Sequence, residues 1–296
     1  MSTTVDSRER QGSQPAHSNE AKHKLSFFGV LRSESLKFRT LVSSWVMLAI
    51  TIVLMAGFSA LTAAQARTVK KALDDAIQNG KQPDPYLMQV GNPADVARQA
   101  VDSGYIFAYI ILASMAVVFI ASEFANKSVI STLTSTPRRG MVYVAKTVQI
   151  TIVAIIAAII SGVLAWLMAQ LVLSPVDLTF GLFEEQTLMN IVGLIVVFVL
   201  TAWMGIGLGA IIRNNAGAIV ILVVLLFILP LLLMPFQWEW VRDFQGYIPQ
   251  QLSGILTNPF EPQSDPKYVE AGLWYALWAV VPLILGYFSF TQRDPK

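Results

Sequence analysis

Six apolar stretches divide the chain: roughly Ser44–Ala64, Gly104–Ser122, Thr147–Leu173, Thr187–Ile212, Ala216–Pro235 and Gly272–Phe290. A helix needs about 20 mostly apolar residues to cross a bilayer, so the pattern predicts an all-α integral membrane protein with six transmembrane helices. The third stretch is longer than a bilayer requires and is expected to tilt or protrude. Residues 1–24 show no apolar period and read as a disordered tail, which leaves 25–296 as the membrane domain. Ala64-Gln65-Ala66 resembles a small-residue cleavage site at the end of the first span. Cleavage there is not expected, because far more chain precedes the span than a signal peptide allows.

Between tail and first span, Leu25–Trp45 has helical spacing. Phe27, Phe28, Leu31, Phe38, Leu41, Val42 and Trp45 fall on one face, with Arg32, Lys37 and Arg39 outside it. Such a helix, placed at 25–43, lies in the headgroup layer before the chain turns into the bilayer. Glu34 interrupts the apolar stripe. Either it pairs with nearby Lys37 or it meets a protein partner.

The inter-span segments differ in character. Residues 65–103 hold a short helix over Ala66–Gln78, turn signals at Asn79-Gly80, Pro83-Asp84-Pro85 and Gly91-Asn92-Pro93, and a second short helix from Pro93. This predicts a helical hairpin outside the membrane, with solvated charged faces. Residues 236–271 are rich in Trp and Tyr, which favour the membrane interface, and Gly246–Leu256 is amphipathic enough to lie on or dip into the leaflet. In the fourth span Gly205 and Gly209 form a small-xxx-small pair, whereas Gly207 falls on a different face.

Charge fixes the expected orientation. Of the 21 Lys and Arg residues, 14 lie in the two termini and the 2–3 and 4–5 loops, against 7 in the remaining loops; of the 19 acids, 6 and 13 do. The positive-inside rule then places both termini and the 2–3 loop in the cytoplasm, and a cell (inner or plasma) membrane of bacterial type suits the chain. The chain has no Cys, which excludes disulfides and thiolate chemistry. Its two His, His17 and His23, both lie in the tail, so no metal centre is expected.

The segment 123–146 is polar, basic and patterned. Asn126–Leu133 can form two helical turns, with Val129, Ile130 and Leu133 on one side and Lys127 elsewhere. Pro137 ends that helix, and Arg138 and Arg139 follow at the anionic membrane surface. Glu123 and Lys146 bracket the loop. No ionisable residue lies in the central part of any span, which disfavours a proton-coupled carrier or an intramembrane protease. There is no GxxxxGK[ST], HExxH or strand-borne GxGxxG. If the chain moves a solute uphill, the energy comes through another subunit.

Three groups of residues carry a family resemblance. They are Glu34-Ser35-Leu36-Lys37-Phe38-Arg39 running into Trp45; Glu123 followed by Thr136-Pro137-Arg138-Arg139 and Val144-Ala145-Lys146; and Gly205–Arg213 at the end of the fourth span. Together with Tyr247-Ile248-Pro249, they resemble the membrane-spanning subunit of ABC-2 type transporters over about residues 25–290. Asn126-Lys127-Ser128 stands where many members carry Gly-Thr, and the long 65–103 segment is an elaboration. The resemblance implies a permease without its own ATP site, and so not an enzyme. It implies as partners a separate ATP-binding subunit that holds ATP and Mg, a second permease copy or paralogue, and membrane lipid, but no nucleic acid. A short cytoplasmic coupling helix between spans 2 and 3 would dock on the ATPase. The coupling residues it assigns are Glu34, Glu123, Asn126, Lys127, Val129, Ile130, Leu133, Pro137, Arg138, Arg139 and Lys146. Export of a lipophilic, drug-like, lipid or peptide substrate is the expected activity. The alternative is a membrane scaffold or assembly protein.

Overall fold

A computed structural model describes residues 26–80, 82, 91–125, 138–236, 238–258 and 267–292. Among the described residues there is no strand, and six helices are long and apolar enough to cross a membrane. In chain order the helices are α1 (Phe27–Thr40), α2 (Val42–Gln78), α3 (Pro93–Arg98), α4 (Tyr105–Ala125), α5 (Arg139–Leu173), α6 (Glu185–Ile212), α7 (Asn215–Leu233), α8 (Glu239–Gly246), α9 (Pro249–Thr257) and α10 (Tyr268–Gln292). Single 3-10 turns follow α3 at Gln99–Val101 and α5 at Ser174–Val176.

α6 forms the centre. It packs against α10, α4 and α5, and the short α9 closes one end. Small residues permit this. A Cβ on Gly205 would meet the Ala113 carbonyl oxygen at 2.5 Å, and one on Gly209 would meet Ile120 at 2.6 Å, so the small-xxx-small pair faces α4. Gly207 points the other way, where an added Cβ would lie 2.3 Å from the Pro282 backbone of α10. The outer pair, α2 on α5, meets along Thr51, Met55, Ser59, Ala63 and Ala66, one residue per turn, opposite the Ala154–Ala169 stripe of α5. There Ser59 Oγ donates to the Ala165 carbonyl at 2.6 Å. The large aliphatic residues exposed on α2, α5, α7 and α10 then face outward, as expected where lipid is the solvent.

Proline shapes α7. Pro230 has no N–H, so the Leu226 carbonyl lacks its α-helical donor. The helix widens to a π-turn over Val224–Ile228, and buried Tyr109 of α4 donates its hydroxyl to that carbonyl at 3.1 Å.

Five sequence expectations change. The approach helix stops at Thr40, where Leu41 is extended, and α2 starts at once. The buried face of α1 is Val30, Glu34 and Phe38, whereas Phe28, Val42 and Trp45 are exposed. The predicted Ala66–Gln78 helix is no separate arm but the continuation of α2, because Ala66 stays packed in the second apolar cluster with Ala97, Val101 and Leu173, and Val69 one turn on is also buried. The second arm exists as α3, started by Asn92, whose side chain accepts from the Ala94 N–H. Of the two placements expected for Gly246–Leu256, lying on a surface does not hold: within α9, Leu252, Ser253, Leu256 and Thr257 are buried against α6 and α10. Finally, α5 begins at Arg139, so Lys146 lies inside a helix and does not mark its start.

Candidate functional site

At the α1 end of the bundle, three helices converge on a cluster of four charges. Lys146 on α5 is fully buried. Its Nζ donates to Glu34 Oε2 of α1 at 2.5 Å and to Glu123 Oε1 of α4 at 2.8 Å. Lys37 Nζ completes the ring, 2.8 Å from Glu34 Oε1 and 3.0 Å from Glu123 Oε1. Two acids and two bases leave the cluster neutral.

Local sequence explains how each side chain arrives there. Val30, Glu34 and Phe38 lie one turn apart on the buried face of α1, and Lys37 sits one turn after Glu34 at the edge of that face. Phe119 and Glu123 are likewise one turn apart on α4. Apolar rings wall the charges. Phe38 meets Phe119 edge to face at 5.5 Å, and Lys146 Nζ sits 4.4 Å from the Phe119 centroid, a cation–π contact. Water is therefore largely excluded from Glu34, Glu123 and Lys146, which depend on their partners for solvation, while Lys37 at the edge keeps part of its side chain in solvent. Burial pushes the Lys37 ammonium down, but the hydrogen bond to Glu34 and the fields of Glu123 and Glu34 outweigh it. The net shift is upward from 10.5.

A second set of cations lies at the same end. Arg213 follows α6 with φ 56° and donates through Nη2 to the Ser289 carbonyl at 2.6 Å; its guanidinium sits 4.8 Å from the Phe124 ring. Arg139 Nη1 reaches the Thr291 carbonyl at 3.5 Å. Both arginines thus meet the last carbonyls of α10, where a helix is partially negative.

The residues predicted to couple the chain to a partner divide three ways. Glu34, Glu123 and Lys146 meet in one cluster. Arg138 is exposed and its carbonyl accepts from Met141 N–H at 2.9 Å, while Arg139 turns to α10. Asn126, Lys127, Val129, Ile130, Leu133 and Pro137, and with them the predicted coupling helix, lie outside the described residues. Glu34 takes both Lys37 and Lys146 of its own chain, so its place in the stripe follows from internal pairing. The sequence places Lys37 beside Glu34 and both Lys37 and Arg213 within the groups that carry the resemblance, but it gives no sign of Phe119. A basic residue one turn from an acid on an apolar face was the available signal for Lys37.

The cluster offers no nucleophile and no metal-ligand set; among the described residues no group of three His, Asp or Glu could hold a metal ion. Chemically it can clamp and transmit. It fixes α1 to the last turn of α4 and the first turns of α5, the two helices that flank residues 126–138. No protein-family model matches the chain, and no curated protein matches it in sequence.

Proposed function

We propose that this chain is the membrane-spanning permease subunit of an ATP-driven transporter of the ABC-2 type, acting with a separate ATP-binding subunit and a second permease. The observation that carries this reading is the buried Glu34–Lys37–Glu123–Lys146 clamp. A load applied to the 126–138 segment reaches α4 through Glu123, α5 through Lys146, and α1 through both. A stiff joint at that place is what a permease needs when its energy comes from a nucleotide-binding partner docked on the loop. It has no evident use in a passive anchor.

On this reading the α1 end faces the cytoplasm, in keeping with the excess of Lys and Arg in the termini and the 2–3 loop. ATP closes the partner's dimer, the loop moves, and the clamp passes the motion to α1, α4 and α5 together. Glu34 is fully buried, so it acts on the partner through α1 and not by direct contact. Val129, Ile130 and Leu133 would supply the apolar docking face, with Lys127 and Arg138 around it. The substrate is lipophilic, a drug-like molecule, lipid or peptide, and the direction is export.

The test is purification of the tagged chain from its own host in mild detergent, followed by mass spectrometry and an ATPase assay. A co-purifying P-loop protein with vanadate-sensitive activity, uncoupled by Ile130→Asp or Val129→Asp without loss of membrane insertion, is the expected result. A pure preparation without a nucleotide-binding partner would refute the permease reading and favour a scaffold.

A further inference from the structure

A cavity of about 830 Å³ opens between α1, the start of α2 and α5. Its floor is apolar: Leu48 and Ile52 of α2 face Ile152, Ile156 and Ile160 of α5. Its mouth is different. Phe28, Arg32, Ser35 and Arg39 follow one another at i, i+4, i+7 and i+11, so a single stripe of α1 overhangs the opening. Arg32 and Arg39 are exposed, lie about 10 Å apart along the helix, and have no side-chain partner among the described residues. Among the described residues no acid lines the cavity, and the adjacent Glu34 and Glu123 are committed to Lys37 and Lys146. Among the described residues the positive charge at the mouth is therefore uncompensated. Between mouth and floor stands Gln149. It is only 8% exposed, and its side-chain amide makes no hydrogen bond among the described residues. Trp45 is pinned beside the opening, its Nε1 donating to the Arg39 carbonyl at 2.9 Å.

We infer that this cavity is a binding site for an anionic phospholipid of the surrounding bilayer. One acyl chain lies along Ile152, Ile156 and Ile160. The phosphate sits between the Arg32 and Arg39 guanidiniums, and the Gln149 amide donates to a glycerol-ester carbonyl. Charge selects this occupant over two others. A second copy whose two-fold axis passed through the cavity would bring its own Arg32 and Arg39 against these, setting like charges together. Residues 1–25 carry more basic than acidic residues and would add to the repulsion. A zwitterionic lipid would fill the trough but leave the arginines' charge unbalanced. The site is independent of any ATPase partner and would stand if the permease reading fell.

The test uses the full chain in phosphatidylcholine nanodiscs doped with equal fractions of either phosphatidylglycerol or phosphatidylcholine bearing a diazirine on the acyl chain. Crosslinked peptides are then mapped by mass spectrometry. Phosphatidylglycerol is expected to label the Leu48–Ile52 and Ile152–Ile160 peptides in preference to phosphatidylcholine, by roughly fivefold per arginine. Arg32→Gln/Arg39→Gln should bring the two lipids level, Arg32→Lys/Arg39→Lys should keep most of the preference, and Arg67→Gln should leave it intact. Equal labelling of the wild type by both lipids, or a preference that survives the double Gln variant, would overturn the site. So would labelling that appears only when a dimer is dissociated or only when residues 2–25 are removed, outcomes that give the cavity to a second copy or to the tail. If the Gln variant does not fold, the wild-type lipid comparison and the Lys variant still decide the matter.

Discussion

Replacing Lys146 by Met tests the clamp most directly. The side chain is close in length and leaves little cavity, so the effect is electrostatic. Lys146 holds two carboxylates, at 2.5 and 2.8 Å, and is itself fully buried. Without it the cluster carries one net negative charge, and Glu34 and Glu123 must share Lys37, whose side chain is 40% exposed. Breaking a buried pair from one side costs about 3–5 kcal/mol, against about 0.2–1 kcal/mol for an exposed pair. Lys146→Met is therefore expected to cost about 3–5 kcal/mol. Glu123→Gln added to it restores neutrality and keeps the Lys37–Glu34 pair. The double variant should recover about 2–3 kcal/mol of the loss, a coupling of the size seen for residues in one network. Steric trapping in bicelles reads these free energies directly, and circular dichroism checks that the helices persist. A cost under about 1 kcal/mol for Lys146→Met, or strict additivity of the two changes, would refute a buried and mutually dependent cluster.

Three further outcomes follow from the packing. Tyr109→Phe should cost about 1–3 kcal/mol, because the Leu226 carbonyl loses its donor in a dry interior; in a Pro230→Ala background the cost should fall, since the restored N–H can serve that carbonyl, and an unchanged cost in steric trapping would count against the pairing. Gly207→Ala sets a methyl against the Pro282 backbone and should destabilise by about 1–3 kcal/mol, while Gly29→Ala, which has open space, should be near neutral by the same measurement. Lys37 has a raised pKa in the folded state, so its contribution is complete below about pH 10.5 and fades as pH rises through the raised value. The melting-temperature gap between wild type and Lys37→Met should hold constant to about pH 10 and shrink above it; a gap that varies around neutral pH would contradict this.

The membrane spans were legible in the sequence because apolar length alone defines them, and the faces of Gly205, Gly207 and Gly209 because helical geometry alone assigns them. The break at Leu41 was not, since nothing local forbids a helix there; α1 instead turns to seat Glu34 and Phe38 on α4 and α5. Lys146 was misplaced for a related reason. A hydropathy window treats a lysine as water-exposed and ends the span, whereas two carboxylates more than twenty and more than a hundred residues away in sequence let it lie inside the helix. Glu34, Glu123 and Lys146 could each be singled out by position, yet their assembly rests on pairing at long sequence separation that no local pattern encodes. The packing of α9 was not legible because an amphipathic helix beside α6 reads the same as one beside lipid.

α5 runs unbroken from Arg139 to Leu173, a rod of about 52 Å. Lys146 grips it near one end, and Leu173 sits at the other among Ala63, Ala66 and Val101. Pivoted at the clamp, a tilt of about 5° would sweep the far tip through about 3–4 Å, given the roughly 40 Å between Lys146 and Leu173. The α-helical hydrogen bonding is unbroken along this length, so a small rotation at the charged end would carry through to the opposite end of the helix.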